Sequence, residues 1–97
     1  MEENEYLIIL YDYYGELLNE LQRNYFELYY FDNLSLSEIA DNLAKSRNAV
    51  HKSIKSITNK LFEYEEKLQL YLKHQKIEKL LTELNNEKLK DQILDLL

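Results

Sequence analysis

The chain has no proline and a single glycine, Gly15, in 97 residues. Strand connections depend on residues that adopt positive φ or arrive with φ preset, so an all-β fold could not make its turns from this composition. Helix interiors, by contrast, are weakened by those same two residues. The expected fold class is therefore all-α. Hydrophobic residues make up 45% of the chain, enough to fill a core, and the length suits one domain over residues 1–97. The apolar runs, such as YLIILY at Tyr6–Tyr11, fall far short of the roughly 20 residues that span a bilayer. The absence of cysteine excludes disulfides and thiolate metal sites. The start, MEENE, is acidic where a signal peptide is basic. Together these predict a soluble cytoplasmic protein with no membrane span.

Helical periodicity then divides the chain. Leu7, Leu10, Tyr11, Tyr14, Leu18 and Leu21 recur at helical spacing, predicting an amphipathic helix of about fourteen residues with Gly15 inside it. Asn19 and Gln22 stand at capping-box spacing, opening a helix that buries Leu21, Tyr25, Leu28 and Tyr29 and ends near Asp32-Asn33. A second capping box, Ser35 with Glu38, is flanked by Leu34 and Ile39 at the positions of a hydrophobic staple. The inner face of that third helix is Leu36, Ile39, Ala40 and Leu43. Ser46 caps the next helix almost at once, and no breaker interrupts Arg47 to about His74. Along it Ile54, Ile57, Leu61, Tyr64, Leu68 and Tyr71 form a heptad-like seam. Ile77, Leu80, Leu81 and Leu84 predict a short helix, Asn85-Asn86 a turn, and Leu89, Ile93, Leu96 and Leu97 a last helix. The whole is expected to be a bundle of five or six helices.

Ser35–Ile57, SLSEIADNLAKSRNAVHKSIKSI, holds a short helix, a tight connection and a second helix, the parts of a helix-turn-helix. It is also the one electropositive part of a chain with net charge −6. Glu38 and Asp41 are outnumbered there by Lys45, Arg47, Lys52, Lys55 and Lys60, whereas residues 1–34 hold Arg23 against eight acids. A phosphate backbone responds to this local field, since charges beyond a Debye length of about 10 Å are largely screened. With Val50, Ile54, Ile57 and Leu61 turned to the core, the helical wheel places Asn48, His51, Lys52, Lys55 and Asn59 outward, with Arg47 at the helix start. Arg pairs bidentately with guanine and Asn with adenine, while Lys supplies phosphate contacts. Ser35, Ser37 and Ser46 stand beside helix N-termini, where backbone N–H groups favour an anion. The same basic face is also what any solvated amphipathic helix carries.

The segment Leu17–Leu68, LLNELQRNYFELYYFDNLSLSEIADNLAKSRNAVHKSIKSITNKLFEYEEKL, resembles the YlxM family of small bacterial proteins. The likeness rests on LQRNYFELYYFDNLSLSEIA (Leu21–Ala40), SRNAVHKSIK (Ser46–Lys55) and LFEYEEKL (Leu61–Leu68), about half of the chain. Family members look like the helix-turn-helix of sigma factor region 4, which implies a helix-turn-helix core over about 19–60 and a C-terminal helical extension over about 61–97. The family's gene commonly lies beside that of the signal recognition particle's GTPase, which implies a regulatory role linked to that pathway. Lys45 stands where relatives often carry an apolar residue, and the basic pair common after the recognition helix is reduced to Lys55-Ser56.

Other chemistry finds little footing. His51 and His74 lack a nucleophile or metal partner at recognisable spacing, and one glycine cannot build a phosphate loop. No enzyme activity, cofactor or metal is expected. Glu63, Glu65 and Glu66 read as a solvated acidic face, and Tyr11, Tyr14, Tyr25, Tyr29 and Tyr30 as core and rim. The seam from Ile54 to Tyr71 either packs on the last two helices or joins a second copy, and a homodimer is expected. Two functional classes remain: a DNA-binding regulator, or an adaptor that binds a protein or RNA component of the particle.

Overall fold

The computed structural model describes residues 1–97 and contains helices and no strand. Six α-helices follow in order: α1 Glu3–Tyr14, α2 Glu20–Phe26, α3 Leu36–Leu43, α4 Arg47–Leu68, α5 Leu70–Leu81 and α6 Glu87–Leu94. Between α1 and α2 runs a 3₁₀ turn, Gly15–Leu17, and α2 continues into a π-helical turn, Glu27–Phe31. The all-α architecture is the one the composition predicts.

The capping signals form as read. Asn19 accepts from the Gln22 N–H while Gln22 returns a bond to the Asn19 N–H, and Ser35 and Glu38 do the same. Ser46 accepts from the Ala49 N–H and Asn86 from the Leu89 N–H. Helix α1 has no side-chain cap. A cap contributes about 1 kcal/mol, whereas each fully buried large apolar side chain contributes about 1.5–3 kcal/mol. Buried Leu7, Leu10 and Tyr14 therefore decide that α1 is helical, through packing.

One core runs from Leu7 to Leu61 and draws on α1 through α4. Phe26, Ile39, Val50, Ile57 and Leu61 are its centre, with Leu34, Leu36 and Leu43 packed at its margin. Aromatic rings line one side: Tyr11 stacks on Phe26 at 4.2 Å, and Phe26 meets Tyr30 at 4.5 Å. The tyrosines are core and rim, as expected.

Four expectations are corrected. Helix α1 stops at Tyr14, and Gly15 opens the 3₁₀ turn. A Cβ on Gly15 would stand 3.2 Å from the Tyr11 ring, so close approach of that ring favours glycine here. Leu21, placed on an inner face from its spacing, is 57% exposed, because the 3₁₀ turn and the new cap at Asn19 reset the helical phase. The long helix does not reach His74: it ends at Leu68, and Gln69 adopts φ 55°. The α4 residues of the seam do not pack on the last two helices. Helix α1 covers the seam's C-terminal part, with Tyr14 against Tyr64 at 5.8 Å and Tyr6 against Tyr71 at 5.8 Å. Periodicity alone cannot say which helix fills a seam.

Glu65 explains the break and is itself a correction, since it is buried and not part of a solvated acidic face. Its carboxylate accepts from the N–H groups of Tyr71 and Leu72 at 3.1 Å and from the Tyr14 hydroxyl at 2.5 Å. The Tyr14 oxygen accepts in turn from the Leu70 N–H at 3.1 Å. Three N–H groups at the start of α5 thus find acceptors on α4 and α1, which makes a new helix start possible without a local capping residue. Tyr13 and His74, 2.6 Å apart from hydroxyl to Nδ1, pin the next turn of α5 to α1.

The radius of gyration, 17.1 Å, exceeds the roughly 12–13 Å of a compact chain of this length. The molecule measures 56 × 24 × 24 Å. Helix α4, roughly 33 Å long at 1.5 Å per residue, and the arm α5–α6 beyond it set the long axis. No helix is long and apolar enough to cross a membrane.

Candidate nucleic-acid interface

Helices α3 and α4 meet through Ala44, Lys45 and Ser46. Ala44 takes φ 54°, and the N–H groups of Ala44 and Lys45 both close on the Ala40 carbonyl. This left-handed residue reverses the chain in three residues. Buried Ile39 and Ala40 on α3 and Val50, Ile54 and Ile57 on α4 then lock the pair against α1 and α2.

Locking the inner face decides what faces out. Arg47, Asn48, His51, Lys52 and Lys55 are all exposed on α4, and Lys45 is exposed in the turn before it. Ser35, Ser37 and Ser46 are exposed at the two helix starts. The wheel therefore placed its residues on one continuous surface. None of the molecule's three ion pairs involves Lys45, Arg47, Lys52 or Lys55, so these cations carry no internal partner.

The two helix starts are not equivalent. At α3, Glu38 holds the Ser35 N–H with its carboxylate, and that hydrogen bond and the Ser35 hydroxyl lower the carboxyl's pKa below its ordinary value. A negative charge already occupies the place where a phosphate would be drawn, which weakens Ser35 and Ser37 as anion contacts. At α4 the first turn has no acidic side chain, Ser46 satisfies only the Ala49 N–H, and Arg47 adds a positive charge. The start of α4 is the better anion site of the two.

The surface also runs farther than the sequence reading placed it. Lys52, Lys55, Ser56, Asn59, Lys60 and Glu63 border one shallow groove along α4. A second groove opens between α4 and the start of α2, bordered by Asn19, Gln22, Lys52, Ser53 and Ser56 among others. Lys60 was visible in the sequence as part of the positive segment, and the structure sets it on the same α4 groove wall as Lys52 and Lys55. The cationic track ends at Glu63. Lys67 bonds that carboxylate at 2.6 Å and lowers its pKa, while Glu63 raises that of Lys67. The pair is exposed, so it contributes little to stability.

Neither histidine builds a reactive centre. His51 is exposed on the α4 surface, and His74 lies between the Tyr13 hydroxyl and Glu78, 2.9 Å from its Nε2. With the proton on Nε2 the ring accepts from Tyr13 and donates to Glu78. No cluster of three or more His, Cys, Asp or Glu side chains is arranged to hold a metal.

Comparison with known proteins agrees with this architecture. The family model UPF0122, described as "Putative helix-turn-helix protein, YlxM / p13 like", matches residues 1–96. A UPF0122 protein of Listeria monocytogenes is 40% identical over 94 residues, which are 97% of this chain and 86% of the relative. One from Desulforamulus reducens is 45% identical over 86 residues, 89% of this chain and 74% of the relative. One from Anoxybacillus flavithermus is 41% identical over 105 residues, with 99% and 96% covered. With helix, turn and helix in place and the match running through almost every residue, the chain belongs to the YlxM/p13-like family of helix-turn-helix proteins.

Proposed function

We propose that this protein is a nucleic-acid-binding regulator, a single helical domain that presents α4 to the major groove of duplex DNA as a homodimer. Arg47 and Asn48 read base edges, and Lys45, Lys52 and Lys55 hold phosphates, with His51 between them and Ser46 beside the helix start. Ser35 and Ser37 contribute at the edge of the footprint. The observation that carries this reading is the run of unpaired cations along the exposed face of α4, beginning at a helix start free of acidic side chains. Residues of about 19–60 form the contact unit, and 61–97 extend it.

The resemblance to the YlxM family supports placing this activity in the signal recognition particle pathway, in the cytoplasm. A second reading rests on the net charge of −6: an adaptor that binds a protein or RNA component of the particle. The narrow, deep major groove of A-form RNA does not admit a recognition helix, so such an adaptor would use another surface.

One comparison separates the two. The purified protein is titrated at moderate salt with mixed-sequence duplex DNA, with the particle's RNA and with its GTPase. Salt-sensitive duplex binding that falls when Lys52 and Lys55 become Ala supports the regulator. Binding only to the RNA or the GTPase, unchanged by those substitutions, overturns it in favour of the adaptor.

A further inference from the structure

Helix α4 is longer than base reading requires. A recognition helix reaches base edges with its N-terminal residues, and its far end meets the flanking sugar-phosphate backbone instead. Lys60 stands roughly 20 Å along the axis from Arg47, whereas the major groove is only about 12 Å wide and 8.5 Å deep. We propose that the groove bordered by Lys52, Lys55, Ser56, Asn59, Lys60 and Glu63 holds the phosphodiester backbone of duplex DNA beside the base-read site, with Glu63 ending the track and Lys67 keeping Glu63 off Lys60. The inference rests on the α4 reading above and adds a second contact zone to it.

The lining names the ligand. Three ammonium groups, one hydroxyl, one amide and one carboxylate border the groove, with no apolar or aromatic side chain among them. Ammonium, hydroxyl and amide are the groups that bond phosphate and sugar oxygens. A base would need an aromatic platform to stack on, and a protein segment an apolar pocket for its anchor. None of the three lysines has an ion-pair partner within the chain.

Glu63 is the one group on this border that repels phosphate. Lys60 is near enough to help lower the Glu63 pKa, yet the carboxylate's bond goes to Lys67, at 2.6 Å. Lys67 stands about one turn farther along α4 and does not border the groove. A glutamate followed four residues later by a lysine is the favourable order on a helix. This pairing leaves the Lys60 ammonium available to an anion. Without Lys67, Glu63 turns to Lys60, the other cation whose charge it feels, and neutralises the last cation of the track. Lys67 is therefore a positioning residue that needs no contact with DNA.

The test is a double-substitution cycle on the full chain. Mixed-sequence duplex DNA and its separated strands are titrated in parallel from about 50 to 200 mM salt. Lys67→Ala should weaken duplex binding about 2–5-fold. It should also reduce the slope of log K against log salt by about 0.9, the mark of losing the Lys60 contact. Glu63→Gln should tighten duplex binding about 2–5-fold. In the Glu63→Gln background, Lys67→Ala should change neither affinity nor slope, because no carboxylate is left to mask. Lys60, Glu63 and Lys67 are all exposed, so circular dichroism should remain helical. Equal weakening by Lys67→Ala with and without Glu63 would mean that Lys67 touches phosphate itself, and overturns the masking role. Effects confined to the separated strands overturn the assignment to duplex. Duplex binding that depends on Lys52 and Lys55 but ignores Lys60→Ala, Glu63→Gln and Lys67→Ala overturns the second contact zone and leaves α4 as the reading helix. Binding that ignores Lys52 and Lys55 as well overturns the α4 reading, and this inference with it.

Discussion

The Tyr14 hydroxyl donates to the Glu65 carboxylate at 2.5 Å, joining α1 to the last turns of α4 across 51 positions of sequence. Around that bond the backbone of α5 finds its first acceptors, so one buried carboxylate ends one helix's territory and starts the next.

Glu65→Ala removes a charged acceptor from two backbone N–H groups and a phenol. Hydrogen bonds to charged groups contribute about 1.5–3 kcal/mol each, and orphaned buried donors add their own cost. The expected loss is about 3 kcal/mol or more, and Tyr14→Phe should cost roughly 1–3 kcal/mol. Urea unfolding measures both. Amide exchange locates the damage: Tyr71 and Leu72 should exchange much faster in Glu65→Ala. Unchanged protection there would remove the capping role.

The same joint makes stability sensitive to alkali. Burial, then the hydrogen bond to Glu65, pushes the Tyr14 pKa up to about 12; burial, then Glu27, does the same for Tyr11. Burial also raises Tyr6, Tyr13 and Tyr30. An unfolded tyrosine loses its proton near 10. Above that pH the unfolded chain binds fewer protons than the folded one, so stability falls as pH rises from about 10 through 12. Urea midpoints across this range should decline, and Tyr11→Phe should make the decline shallower. A flat profile would contradict the assignment.

Ala44 occupies the left-handed region that costs an L-residue about 1–2 kcal/mol. Ala44→Gly relieves that strain but frees the unfolded chain, an offset of about 0.4–1 kcal/mol. The net expectation is a gain of about 0.5–1 kcal/mol with the basic face unmoved, read as a higher melting temperature. A lower one would mean the Ala44 methyl packs more usefully than its exposure indicates.

Binding to duplex DNA should weaken with salt as each phosphate contact releases counterions. Lys52→Ala and Lys55→Ala are each expected to reduce the slope of log K against log salt by about 0.9. Lys60→Ala, at a residue that borders the same α4 groove, should do the same. Ser37→Ala, next to the carboxylate that already occupies the α3 start, should change the slope little.

The local features of this fold are legible in the residues themselves. The missing prolines and lone glycine determine its class, because helices are what such a backbone can make. The capping pairs Asn19–Gln22 and Ser35–Glu38 mark where two helices begin, because a cap is a bond between residues three apart. The periodic apolar residues of α4 determine which side chains face outward, and with them the candidate interface. Tertiary structure decides what depends on residues distant in sequence. The helix predicted to run on to His74 breaks because Glu65 and Tyr14, 51 positions apart, satisfy the next helix's amides together. The C-terminal part of the seam is closed by α1, because which helix reaches it first depends on the whole chain's packing. Glu65 looked like its neighbours Glu63 and Glu66, and only burial separates a carboxylate that holds the joint from two that face water.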